Sequence, residues 1–136
     1  MIFLANEESP MNYAANTYHY RQDSSFLYFF GLSSPGLAAI ADADENTDTL
    51  YGDDIGIEDI IWMGSLPKLK DRALEAGVRR TAPRAAFDEA VRRAIASGRP
   101  VHYLPPYRPD AKIALSELLG IPVKELRAGA SAAFIK

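Results

Sequence analysis

Tyr18-His19-Tyr20-Arg21-Gln22-Asp23-Ser24-Ser25-Phe26-Leu27-Tyr28-Phe29-Phe30-Gly31-Leu32 is the densest stretch of this chain, with six aromatic side chains in thirteen residues. Asp23 or Ser24 is placed to cap a short helix running through Phe29, because a side-chain oxygen there accepts from first-turn amides. A strand fits nearly as well, since aromatic side chains suit a pleated, half-buried surface. Gly31 ends either element. Phe26, Tyr28, Phe29 and Phe30 read as core. The polar trio Arg21-Gln22-Asp23 reads either as a substrate contact or as structural. In the structural reading, which is favoured, Arg21 ties loops down through backbone carbonyls and Asp23 caps.

Working outward, Ile2-Phe3-Leu4-Ala5 is an apolar strand reached after a single residue, and Asn6 to Asn16 is a polar connection with a turn at Ser9-Pro10. Downstream of Gly31, Leu37 to Ala41 is a strand. Asp42 to Asp48 is a hairpin connection with Glu45 and Asn46 at its tip, and Thr49-Leu50-Tyr51 pairs back. Ile60 to Gly64 reads as a short helix and turn. Leu66 to Ala76 reads as a helix with Pro67 in its first turn and Gly77 past its end, and Val78 marks a short strand. Pro83 to Ser97 is the clearest helix, with Phe87, Val91, Ala94 and Ile95 on one face. Val101 to Leu104 is a strand closed by Pro105-Pro106. Ala111 to Leu119 is a helix with Leu115, Leu118 and Leu119 inward, and a short element spans Val123 to Leu126. Helices alternate with strands. The expected fold is α/β: a single domain in which one mixed β-sheet is flanked by helices.

Composition narrows the function. The 136 residues suit one domain, and the formal charge of -3 shows no clustered basic face, which argues against nucleic acid. No apolar run approaches the ~20 residues of a membrane span, and no secretory signal is visible. The absence of cysteine removes disulfides, thiolate zinc sites and cysteine nucleophiles. It fits a reducing compartment, and the expected location is cytoplasmic. No serine sits in a Gly-x-Ser-x-Gly elbow.

The opening block resembles the signature of the amino-terminal domain of Xaa-Pro aminopeptidases, roughly aromatic-x-aromatic-Arg-Gln-x-Ser-x-Phe-x-Tyr-x-x-Gly-apolar. Trp62-Met63-Gly64 is similar to that family's Trp-x-Gly segment, and His102-Tyr103-Leu104-Pro105-Pro106-Tyr107 to a strand end of one bacterial branch. The resemblance implies that residues 1–136 form a creatinase-type amino-terminal domain, trimmed at both ends. The catalytic "pita-bread" domain is then absent from this chain. The parent implied is a homo-oligomer that removes the first residue of a peptide with proline second. It uses two divalent metal ions, usually manganese, held by two Asp, one His and two Glu of the catalytic domain. The chain by itself is expected to be inactive and to help form the substrate cleft and the oligomer interface. The other reading is a stand-alone, non-enzymatic peptide- or partner-binding module of the same fold.

Individual residues follow from this. Trp62 is the substrate-binding candidate: the resemblance implies that its ring helps wall the pocket for the substrate's apolar end. An ordinary buried Trp at a domain edge is the other reading. No catalytic residue and no metal ligand is assigned. Asp42, Asp53, His102, Glu117 and Glu125 follow the family's ligand order by type, but five such residues are common in a chain with 18 Asp and Glu. His19 reads as structural, and one of His102 and Tyr103 faces the core. Ala15 stands where the family often has a carboxylate that reaches a neighbouring subunit. Asn12 and Asn16 could substitute only as neutral hydrogen-bond partners.

Overall fold

In the computed structural model, residues 1–54, 56, 61, 64 and 67–126 are described. The elements are β1 (Ile2–Leu4), α1 (Ser24–Phe30), β2 (Ala38–Asp42), β3 (Thr47–Tyr51), α2 (Leu69–Glu75), β4 (Arg80–Ala82), α3 (Ala86–Ala96) and α4 (Pro109–Leu119), then a 3-10 turn at Val123–Glu125. The sheet order is β1-β2-β3-β4. The pairs β1/β2 and β2/β3 are antiparallel and β3/β4 is parallel, so the sheet is mixed, as the alternation of elements implies.

Period-two alternation sends neighbouring strand residues to opposite faces. Ile2, Ala38 and Tyr51 join Phe87 and Val91 of α3 and Leu115 and Leu118 of α4 in one apolar cluster. Phe3, Ala39 and Leu50 join Phe26 and Phe30 of α1 and Leu69 and Ala73 of α2 in a second. The sheet is therefore the middle of three layers. Gly52 follows β3 where those layers close up. A Cβ there would stand 2.5 Å from Leu37 Cδ2, which only glycine avoids.

The aromatic block resolves as a helix. Asp23 Oδ1 accepts from the amides of Ser25 and Phe26 at 2.9 and 3.0 Å, and Gly31 caps the other end at φ +66°. Phe26 and Phe30, four residues apart, face the sheet. Tyr28 and Phe29 are thereby turned away, 84% and 52% exposed, and are not core.

Other expectations shift. Val101 to Leu104 is not a strand: contact with β1 is limited to one parallel bridge, Ile2 to Tyr103. The short strand lies at Arg80–Ala82, with Val78 buried just before it. The first described residue of α2 is Leu69 and Lys68 stands at its N-cap; residue 66 lies outside the described residues. Ile95 is exposed, because the sheet-facing line of α3 passes through Phe87, Ala90, Val91 and Ala94. α4 begins two residues early, at Pro109, whose fixed φ and missing amide suit a first turn. Of the expected Ile60 to Gly64 helix, most lies outside the described residues.

Candidate functional site

The loop from Asn6 to Asp23 carries the site, and Gln22 holds it. Gln22 is 4% exposed and is the one buried polar side chain among the described residues. Its Oε1 accepts from the amides of Asn6 and Asp23, both at 2.9 Å. Its Nε2 donates to the carbonyls of Leu32 at 3.2 Å and Ser34 at 2.9 Å. One amide thus joins the end of β1, the cap of α1 and the loop after α1. The tie expected of Arg21 belongs to Gln22 instead. The Arg21 side chain is exposed, and its backbone carbonyl accepts from Asn6 Nδ2 at 2.9 Å.

Around this clamp the loop turns back on itself at the Pro10–Thr17 bridge, and Asn16 Nδ2 donates to Asn12 Oδ1 at 2.9 Å. These asparagines bond each other. Met11, Tyr13 and Tyr18 stand exposed on the loop, and Leu27, Tyr28 and Phe29 on the outer face of α1. Phe29 still rests on Phe3, their ring centroids 4.9 Å apart. Beneath the loop, burial pushes the Tyr20 phenol up to about 12, helped by the Glu7 carboxylate, and its hydroxyl donates to the Asn6 carbonyl at 3.3 Å. Burial also raises Glu7 itself. The site is an apolar and aromatic surface on a hydrogen-bonded frame. It has the character of an interaction surface rather than of a proton-transfer centre.

The residues in metal-ligand order are not brought together. Asp42 takes a bidentate pairing from Arg99, at 2.6 and 2.9 Å, and Arg99 also reaches Asp44 at 2.8 Å. Asp53 Oδ1 accepts from the Arg84 amide at 3.1 Å. Glu117 and Glu125 are exposed on other elements. Among the described residues no three His, Asp or Glu are grouped closely enough to hold a metal ion. Of the histidine pair, Tyr103 faces the core and His102 is half-buried; His19 is exposed.

The Asp42–Arg99 pair makes a prediction of sign. Hydrogen bonding from Arg99, then from the Glu45 amide, holds the Asp42 carboxyl well below the usual carboxylate range. A depressed folded value contributes stability that is present above the unfolded pKa of ~3.9 and is lost as pH falls through the folded value. In a carbon-detected NMR titration, Asp42 should stay ionised to the acid limit of the fold, and Arg99→Ala should move its midpoint up towards the ordinary value. An unchanged midpoint would show that the guanidinium is not the cause.

The model for "Aminopeptidase P, N-terminal domain" matches residues 1–102. The chain belongs to this family. Solved structures agree in fold. Aminopeptidase P from Escherichia coli, in a low-pH form, superposes with a TM-score of 0.66 at 24% identity, over 94% of this chain and 29% of its own. Proline aminopeptidase P II from Yersinia pestis gives 0.66 at 22% identity over 94% and 29%. Aminopeptidase PepP from Pseudomonas aeruginosa gives 0.65 at 23% identity over 96% and 30%. This aminopeptidase P N-terminal domain therefore spans under a third of the solved proteins it resembles. No curated protein matches the chain. No described helix is long and apolar enough to cross a membrane.

Trp62 lies outside the described residues. On either side of it, Ile61 is 74% exposed and Gly64 takes φ +80°. Two features of the domain escaped sequence reading. The buried role of Gln22 had no signal beyond its place beside the cap. The outward turn of Tyr28 and Phe29 follows from helical spacing once Phe26 and Phe30 are set inward.

Proposed function

We propose that this chain is the non-catalytic amino-terminal domain, residues 1–136, of a metal-dependent Xaa-Pro aminopeptidase. On this reading a separate catalytic domain removes the first residue of peptides whose second residue is proline, in the cytoplasm. The observation that carries it is the family match over residues 1–102. Among the structures of similar fold is a zinc-substituted E. coli aminopeptidase P in complex with product, at 22% identity, covering 94% of this chain and 29% of its own, with a TM-score of 0.65. The two metal ions, manganese in the family's usual form, would have to be held by the catalytic domain. The acidic residues here do not fit them, because Asp42 and Asp53 are already engaged by Arg99 and the Arg84 amide.

The domain's contribution is then to shape. The exposed side chains of Leu27, Tyr28 and Phe29, with Met11, Tyr13 and Tyr18, supply apolar area for the catalytic domain and for a second subunit of a homo-oligomer. Trp62 serves as part of the pocket wall for the substrate's apolar end. A rigid ring there offers contact area at low entropic cost.

The test has two arms. The isolated chain with manganese should release no amino acid from an Xaa-Pro peptide, and turnover would overturn the reading. In the intact parent, Trp62→Ala should raise KM about tenfold, equivalent to ~1.4 kcal/mol of lost binding, with kcat little changed. An unchanged KM removes Trp62 from the pocket wall.

A further inference from the structure

The sheet has an unfinished edge. Ala5 N donates to Leu37 O at 2.9 Å and Ala41 N to Met1 O at 2.8 Å, so the odd residues of β1 bond to β2. The backbone groups of Ile2 and Leu4 therefore face the opposite edge. There Ile2 N donates to His102 O at 2.8 Å, and the bridge from Ile2 to Tyr103 carries the sheet one step in parallel.

One step further along this register, Leu4 stands opposite Pro105, and the donor required for the Leu4 carbonyl is the amide of residue 106. Pro106 has no amide hydrogen. The segment leaves the edge, and the Leu4 N–H and C=O have no partner among the described residues. A cleft of about 340 Å³ opens at this point. Ile2, Leu4, Tyr103 and Leu115 give it apolar lining, and Asn6 and Arg21 give it polar lining.

Its charges are unequal in their engagement. Asp23 is held by the amides of α1. Arg108 is held by Asp110, Ser9 Oγ and the Glu7 carbonyl. Arg21 lines the same cleft, and its guanidinium has no partner among the described residues.

We propose that this cleft docks a short extended peptide, which adds to the sheet through the Leu4 N–H and C=O, seats one apolar side chain and sets a carboxylate against Arg21. Main-chain bonds give such a site its affinity, and alternate side chains give it selectivity. The carboxylate is the peptide's own C-terminus: the next amide along the edge, Asn6 N–H, is already held by Gln22 Oε1, so the added strand ends at the Asn6 and Arg21 end of the cleft. The inference rests on the sheet edge and not on the aminopeptidase reading, so the two fail separately.

The test is a ¹H–¹⁵N titration of the 136-residue chain with three probes. These are acetyl-Leu-Val-Leu with a free carboxylate, the same peptide as its amide, and acetyl-Leu-Glu-Leu amide. The expected result is saturable shifts at the Leu4, Asn6 and Tyr103 amides, with a Kd on the order of 0.1–1 mM. The free acid should bind several-fold more tightly than both its amide and acetyl-Leu-Glu-Leu amide; tighter binding of the Glu probe overturns the assignment of the carboxylate to the C-terminus. Arg21→Gln, at an exposed position that leaves the fold intact, should erase that difference.

A second measurement isolates the main chain. N-methylation of adjacent peptide residues, one at a time, should abolish binding at one position and spare it at the next, since only alternate amides face the edge. Absence of shifts at Leu4 with all three probes at millimolar concentration overturns the proposal. Equal tolerance of both methylations overturns it too, since sheet addition then plays no part.

Discussion

Gln22→Leu is expected to lower stability by about 3 kcal/mol, and with it the Tm by roughly 10 °C. The size of the effect comes from what is left behind. Leucine is close in volume, so no cavity forms. The amides of Asn6 and Asp23 and the carbonyls of Leu32 and Ser34 each lose a partner at once. Each net hydrogen bond is worth about 1 kcal/mol, and a buried group stripped of its partner costs more. Gln22→Glu separates the two halves of the clamp. It keeps the acceptor for Asn6 and Asp23 but replaces the Nε2 donor with an oxygen that faces the Leu32 and Ser34 carbonyls. Urea unfolding of wild type and both variants measures this. A loss under about 1 kcal/mol for the leucine variant would mean that water replaces the side chain without difficulty.

Phe87→Ala is expected to cost about 3–5 kcal/mol, the range for emptying a buried aromatic site. Phe87 is fully buried in the first turn of α3. Its ring meets Tyr51 edge-on at 5.4 Å, and the Arg84 guanidinium lies 5.0 Å from its centroid. Truncation therefore removes the contact between β3 and α3 as well as the buried area. Tyr28→Ala removes a ring of similar size that is 84% exposed, and its cost should be within about 0.5 kcal/mol. The same thermal-unfolding experiment compares the two. A similar loss in both would mean that the outer face of α1 is packed in solution.

The contrast between these two rings marks what the sequence reveals. Local chemistry reads well. Asp23 caps because a carboxylate oxygen reaches the next amides, Gly31 and Gly120 end helices at positive φ, and a hairpin does join β2 to β3, though Asp42, Thr47 and Asp48 are paired strand residues and the connection is only residues 43–46. The mixed sheet under helices follows from the alternation of elements. What depends on three-dimensional neighbours reads poorly. The direction of Tyr28 is fixed only when Phe26 and Phe30 find the sheet. Ile95 loses its inward place to Ala94, because the sheet-facing line of α3 drifts along the helix. The Val101–Leu104 strand is cut to a bridge because the two prolines after it cannot donate. Gln22 and Arg21 are adjacent and both polar, and only the closing of the loop decides which one is buried. The acidic residues in metal-like order dissolve for a similar reason, since order along the chain says nothing of the salt bridges that Arg99 makes across it.

The pairing of the strands also bears on how the chain folds. Asp42 pairs with Thr47 across a tight connection, whereas Ile2 must find Ile40 and Thr49 must find Arg80 from far along the chain. Closing a short loop costs less entropy than closing a long one. The β2–β3 ribbon is thus the part that forms early, and the flanking strands attach to it as a template. Changes within the ribbon should then act on the refolding rate, and changes in β1, added late and held on its far side by little more than one bridge, on the rate of coming apart.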